Sequence, residues 1–313
     1  MRPATPAVLF VILSLTAAWP HAQDARTIAV TIDDGPYVGA GGQPYLPQAE
    51  AATTRLLDTL REHKVPALLL VNERQLDGAG AAEVAARTAL MTRWLDAGHG
   101  LGNHTYSHPD ANALTTEAYT DDIAKGDRVT RRLLAGRGAA PSQYFRHPYT
   151  HTGDTVEKKT AIEAFLRARG YRVAPHTIEN ADWLFNVAYR RATDADGAAR
   201  VADAYLAYTR QVTAFAEDAS TRVFGRPIPQ VLLIHANDLT ADALGRILDD
   251  LTTRGYRFVS LDDAMRDAAY ATPDTWVGRG GPTWLFRWSR SLGKTTSFAD
   301  EPEPSTWVTA AAR

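Results

Sequence analysis

Asp33 and Asp34 stand side by side where a strand-forming run ends, in VTIDDGPYVG, just before Gly35 and Pro36. Adjacent carboxylates repel, so something must balance them: solvent at a turn, a basic side chain or a metal cation. Downstream, NHTYSHP places His104 and His108 four residues apart. On a helical turn that spacing puts both imidazoles on one face, where they could share a metal, and Pro109 opposes helix beyond them. FRHPY then supplies Arg146 and Tyr149, ENADW supplies Asp182 and Trp183, and LLIHAND ends an apolar run at His235. The chain has no cysteine, which excludes thiol nucleophiles and thiolate metal sites and leaves His and carboxylates as the ligands for any catalytic metal.

Singly, each signal has an ordinary explanation. Asp-Asp-Gly-Pro makes turns, histidines four apart occur on surfaces, and a histidine after an apolar strand often sits satisfied in a core. Their joint placement carries the weight. β-like runs cover 27–32, 65–71, 98–103, 143–146, 171–175, 230–235 and 256–261, and 49–64, 81–98 and 240–255 carry apolar residues at helical spacing. Strand alternating with helix predicts a parallel sheet, either a barrel or an open doubly wound sheet, which periodicity does not separate. In both architectures function collects at the carboxyl ends of strands, and all five signals fall there. Glycines 98, 100 and 102 leave one face of the third strand bare for close approach. The helical stretch 194–221 reads as an insertion or a long crossover.

A length of 313 residues allows a substantial core, while a net charge of -2 without any long basic run gives no electrostatic reason to expect nucleic acid or an anionic membrane as partner. Residues 1–23 have the layout of a signal peptide: Arg2, an apolar run from Ala7 to Ala18, and small residues near a cleavage point. That run is short for a membrane span, an uncleaved anchor being the alternative, and no later stretch could cross a bilayer. The expectation is an exported protein, periplasmic or extracellular, with a catalytic domain over 24–290 and a flexible tail over 291–313.

Asp33-Asp34-Gly-Pro, His104-x-x-x-His108, Arg146-x-Pro-Tyr149, Asp182-Trp183 and the strand-end His235 follow the order found in polysaccharide deacetylases, the carbohydrate esterases with a NodB-homology domain, which the chain resembles over roughly 26–265. The resemblance implies a distorted (β/α) barrel of about seven parallel strands, one divalent metal, usually Zn2+, and hydrolysis of N- or O-acetyl groups on saccharides such as chitooligosaccharide or peptidoglycan. It also implies roles. Asp34, His104 and His108 hold the metal, and Asp33 is the general base, gripped by Arg146 through two hydrogen bonds. Tyr149 offers its backbone N–H to the oxyanion, His235 is the general acid supported by Asp182, and Trp183 walls the sugar site. Ile32 stands where the family commonly has Phe, a change of apolar filler that leaves the chemistry intact, and Leu184 and Ala236 depart from the Arg and Asp frequent there, beside the groove where substrate identity is set. Two other readings are a small-amide amidohydrolase on the same site and a non-catalytic carbohydrate-binding relative.

The remaining candidates read as structural. His147 and His151 are expected to be solvated loop histidines rather than substrate contacts or replacement ligands, and His99 and His176 to be structural. Trp284 and Trp288 are expected to pack on the barrel rather than form a sugar platform.

Overall fold

The structure, a computed structural model, describes residues 26–38 and 46–313, so the signal peptide expected over 1–23 lies outside the described residues. One sheet contains β1 (Thr27–Gly35), β2 (Ala67–Val71), β3 (Gly100–Asn103), β4 (Tyr144–Phe145), β5 (Arg172–Val173), β6 (Ile178–Glu179), β7 (Gln230–His235) and β8 (Arg257–Phe258). Every pairing is parallel. The order is β5-β4-β3-β2-β1-β7-β6, with β8 joining the start of β1. On one side of β1 the numbers climb from 2 to 5; on the other they descend from 7 to 6. That is a ring with its seam between β5 and β6, a distorted (β/α) barrel rather than a doubly wound sheet, whose strands climb outward on both sides.

The strands read as apolar runs because helices cover them. Ile28 to Asp33, all of β2, and β7 up to Ile234 are buried. At Gly102 a Cβ would lie 2.9 Å from Leu70 Cδ2 and 3.2 Å from the Tyr144 carbonyl, so the bare face of β3 does admit its neighbours closely.

The expected helices occupy Leu46–Glu62, Ala81–Asp96 and Asp238–Thr253. The long stretch is a 30-residue helix, Ala195–Phe224, started by the Asp194 carboxylate accepting the Gly197 N–H at 2.7 Å. It is a crossover, since it lies between the parallel neighbours β6 and β7. Sequence reasoning missed β6, whose two residues are too few to show any alternation. Asp182 therefore follows the sixth strand, and His235 ends the seventh.

In the segment 291–313 the helix Thr306–Ala311 packs on the helix Asp182–Arg191, with Val308 fully buried. The Tyr208 hydroxyl donates to the Pro302 carbonyl at 3.0 Å, and the Arg200 guanidinium lies 4.6 Å from the centre of the Trp307 ring. These contacts turn a stretch with a tail-like composition into a strap across the barrel. No described helix is long and apolar enough to cross a membrane.

Candidate active site

Register brings the residues to one rim. Asp33 pairs with His235 across β1 and β7, and Asn103 pairs with Phe145 across β3 and β4, so His104 and Arg146 emerge one residue beyond that pair. Asp34 has φ 61°, a left-handed conformation that diverts it from the strand path of Asp33. Its Oδ1 lies 3.5 Å from His104 Nε2 and 3.4 Å from His108 Nε2. One ligand atom from each of the three residues falls within 4.8 Å of the others.

The two histidines do not meet on a helical turn, as their spacing suggests. They meet across a loop in which Thr105 has φ 68° and His108 φ 57°. Side chains hold this loop. Asn103 Oδ1 accepts the Thr105 N–H at 2.7 Å, and Thr105 Oγ1 accepts the His108 N–H at 3.0 Å. The Asp122 carboxylate accepts the N–H groups of Tyr106 and Ser107, both at 2.9 Å, and the Ser107 hydroxyl at 2.7 Å. Asn103 and Asp122 thus position His104 and His108, and sequence reasoning singled out neither.

The donor set suits a divalent cation. Asp34 Oδ1 is buried without a hydrogen-bond partner, a costly arrangement for a carboxylate oxygen unless a cation meets it. His104 Nδ1 lies 2.8 Å from the Arg146 carbonyl and can only donate to it, which leaves the Nε2 lone pair on the side of Asp34. Burial, followed by the charge of His108, pulls the His104 imidazole down to about 3 and so favours its neutral form, the one able to bind a cation. Two imidazole nitrogens and one carboxylate oxygen match the ligand count of a catalytic site that leaves a position open.

Asp33 stands beside this triad. Arg146 Nη1 donates to its Oδ1 at 2.7 Å, while Oδ2 lies 3.8 Å from His104 Nε2. The expected two-bond grip is not what forms, because Arg146 spends its other donors elsewhere. Nη1 also reaches Thr31 Oγ1 at 2.9 Å, Nε reaches the Ala174 carbonyl at 3.1 Å and Nη2 the Pro175 carbonyl at 3.1 Å. The fully buried guanidinium therefore bolts β1 to the segment after β5, and Asp33 Oδ2 stays turned toward the ligands.

In the same cavity, His235 Nδ1 donates to Asp182 Oδ1 at 2.7 Å. Asp182 is fully buried, and its Oδ2 accepts the His235 N–H at 2.8 Å, Asn237 Nδ2 at 2.7 Å and the Thr240 hydroxyl at 2.9 Å. Burial alone would lower the His235 imidazole. The charge and hydrogen bond of Asp182, then the charges of Asp34 and Asp33, outweigh it and push His235 up to about 10.

Asp33, Asp34, His104, His108 and His235 line one cavity of about 510 Å³, and Arg146 and Asp182 stand behind them. Tyr149 and Trp183 flank it with side chains about half exposed, and the Tyr149 ring meets the His108 ring edge-on at 4.7 Å. Glu179 and Glu301 also line it. Burial raises the carboxyl of each, helped at Glu179 by Asp182 and at Glu301 by Glu179. Glu179 ends the missed strand β6, where the strand-end rule would have found it. Glu301 comes from the strap, and nothing local in its sequence points to the cavity.

His147 is not solvated, and His151 is only partly so. His147 is 1% exposed, lines the cavity floor and shares a 3.0 Å hydrogen bond with the Tyr119 hydroxyl through Nδ1, and His151 Nδ1 pairs with Asp110 Oδ1 at 2.8 Å. His176 is buried against Trp284 yet also lines the cavity, whereas His99 accepts the Ala67 N–H at 3.3 Å beside Trp94. Trp284 and Trp288 are buried core residues.

A family model for polysaccharide deacetylases matches residues 21–172. The peptidoglycan-N-acetylglucosamine deacetylase of Bacillus cereus is 25% identical over 240 residues, covering 75% of this chain and 66% of that protein. The chain thus spans just under two thirds of that relative. The chitin deacetylase of Colletotrichum lindemuthianum is 23% identical over 249 residues, covering 80% and 82%. Among solved structures, BA3943, a CE4 family pseudoenzyme from Bacillus anthracis, aligns with a TM-score of 0.52 at 16% identity, covering 77% of this chain and 66% of that one. At that identity the likeness speaks for the fold alone.

Proposed function

We propose that this chain, which belongs to the polysaccharide deacetylase family, is a metal-dependent hydrolase that removes acetyl groups from N-acetylated saccharides. The observation that carries this reading is the unpartnered Asp34 Oδ1 facing two imidazole nitrogens, with a separate carboxylate, Asp33, and an Asp182-paired imidazole, His235, in the same cavity. Asp34, His104 and His108 would hold the ion, and their N2O set suits Zn2+. When bound, a divalent ion supplies Lewis-acid polarisation of the acetyl carbonyl and activation of water near neutral pH.

The chain's own residues do the rest. Asp33 Oδ2 takes the proton from water as the oxygen attacks the acetyl carbon. The backbone N–H of Tyr149 donates to the developing oxyanion. His235 gives its Nε2 proton to the departing nitrogen as the C–N bond breaks, leaving acetate and a free amine, while Asp182 holds the Nδ1 proton and the ring orientation. Trp183 and Tyr149 offer apolar faces to a sugar ring, and Glu179 and Glu301 accept its hydroxyl donors.

Acetate release from N-acetylated chitooligosaccharides or peptidoglycan fragments, abolished by a chelator and restored by Zn2+, is the expected result. Release only from small non-sugar amides would favour an amidohydrolase, and saccharide binding without turnover would favour the non-catalytic reading. Trp183→Ala is expected to raise KM about 10-fold with kcat within about 3-fold, since a lost stacking face costs binding shared by substrate and transition state. Export by the leader over 1–23 is part of the same proposal, checked by N-terminal sequencing of protein recovered outside the cytoplasm.

A further inference from the structure

The loop carrying Tyr149 holds two consecutive non-glycine residues in the left-handed region, Tyr149 at φ 55° and Thr150 at φ 53°. An unsupported loop does not keep such a pair, so surrounding contacts must over-determine it. Those contacts come from more than 120 residues later in the chain, beyond the 21–172 matched by the family model. Arg287, on the helix Trp284–Ser291, is fully buried, and its Nη2 donates to the Thr150 carbonyl at 2.6 Å. Its Nη1 reaches Asp274 Oδ2 at 3.0 Å and Thr152 Oγ1 at 3.3 Å, and its Nε reaches the Pro282 carbonyl at 2.9 Å. The guanidinium lies 4.2 Å from the centre of the Trp284 ring.

A second contact acts on the same residue. The Thr150 hydroxyl donates to the Gly281 carbonyl at 2.6 Å. A Cβ at Gly281 would stand 2.1 Å from both Thr150 Oγ1 and the Tyr149 carbonyl, so only glycine lets the two backbones approach this closely. Lys159 Nζ, 3.0 Å from Asp274 Oδ2, ties the same acid to the helix Val156–Ala168 that follows the loop.

We infer that Arg287, paired with Asp274 and working with Gly281, is a positioning residue that clamps the Tyr149–Thr150 backbone and so aims the Tyr149 N–H at the reacting carbonyl. This rests on the reading of Tyr149 as oxyanion donor. Arg287 touches no ligand of the metal triad, and its clamp acts on the loop from behind. The segment 274–291 thereby positions a group of the proposed catalytic site.

The test uses the full chain and three variants, Arg287→Met, Arg287→Lys and Gly281→Ala, each measured for amide hydrogen exchange over 147–152, bound Zn2+, melting temperature, and kcat and KM for acetate release. In Arg287→Met, exchange over 147–152 is expected to accelerate at least about 10-fold with bound Zn2+ at the wild-type level, and kcat to fall about 10- to 100-fold with KM within about 3-fold, as a misplaced donor predicts. Arg287→Lys is expected to recover part of both losses by reaching one carbonyl. Gly281→Ala shifts the loop without unpairing a charge and should reproduce the kcat loss, so it decides the matter if Arg287→Met does not fold. Wild-type exchange over 147–152 in a folded variant overturns the inference, as does a kcat loss that merely follows melting temperature with the loop unchanged. If the wild type releases no acetate, the functional reading fails while the exchange result still decides the clamp.

Discussion

Asp33→Asn is expected to retain bound Zn2+ near the wild-type level while kcat drops by about 10²- to 10⁴-fold, the usual worth of a general base. Asparagine preserves an oxygen that can accept from Arg146 Nη1, so the 2.7 Å contact and the bolt through Thr31, Ala174 and Pro175 can survive the change. What disappears is the proton-accepting oxygen on the ligand side. Asp33 Oδ2 is 3.8 Å from His104 Nε2, not far beyond the 3.5 Å of Asp34 Oδ1, so a ligand role for Asp33 is the competing assignment. Metal analysis alongside kinetics separates the two: an equal loss of metal and activity would make Asp33 a ligand. Asp34→Asn is expected to behave oppositely, with metal content and activity falling together.

The second large effect is expected at His235. Alanine there removes the proton donor to the leaving nitrogen and should lower kcat by about 10²- to 10⁴-fold, with loss of the alkaline limb of the pH profile. The sign follows from the role. His235 donates only when protonated, so activity declines as pH rises through its pKa, and a pKa raised to about 10 places that decline high. A divalent ion beside Asp34 offsets part of the carboxylate contribution and brings the limb down. Asp182→Asn removes the largest raising influence and should move the limb further toward neutrality. An alkaline limb unchanged in both variants would assign the proton to another group. The same shift bears on stability. The His235 contribution is fully present below its unfolded value of 6.5 and is lost as pH rises through about 10, so thermal stability should decline over that interval by less in His235→Ala than in the wild type.

Legibility of the site differed from part to part. Asp33, Asp34, His104, His108, Asp182 and His235 are legible as a group because parallel strands deliver their carboxyl ends to one rim whatever their separation in the chain, while the roles proposed for them come from the family resemblance. Asp122 and Asn103 escaped notice because their work is to hold a loop in left-handed φ, and no residue spacing announces that. His147 is buried rather than solvated and His151 is partly covered: a polar loop sequence does not reveal that Tyr119 and Asp110 will be folded against it. Arg146 has the donors for a two-bond grip, but whether they meet a carboxylate or the carbonyls of Ala174 and Pro175 depends on a neighbouring strand end.

The amino-acid sequence alone determined the chemical vocabulary. It limited the ligands of any catalytic metal to His and carboxylates in a chain without cysteine, predicted a parallel sheet from β/α alternation, and placed ionisable groups where such strands end. Periodicity and residue type are local, so they are readable along the chain. The tertiary structure decided what those groups face: a barrel seam between β5 and β6, an orphaned Asp34 oxygen aimed at two imidazoles, and a C-terminal strap and helix that bring Glu301 and Arg287 to a site built mostly from earlier strands. Most of these are contacts between residues distant in the chain, made by packing rather than by spacing, and only the folded chain contains them.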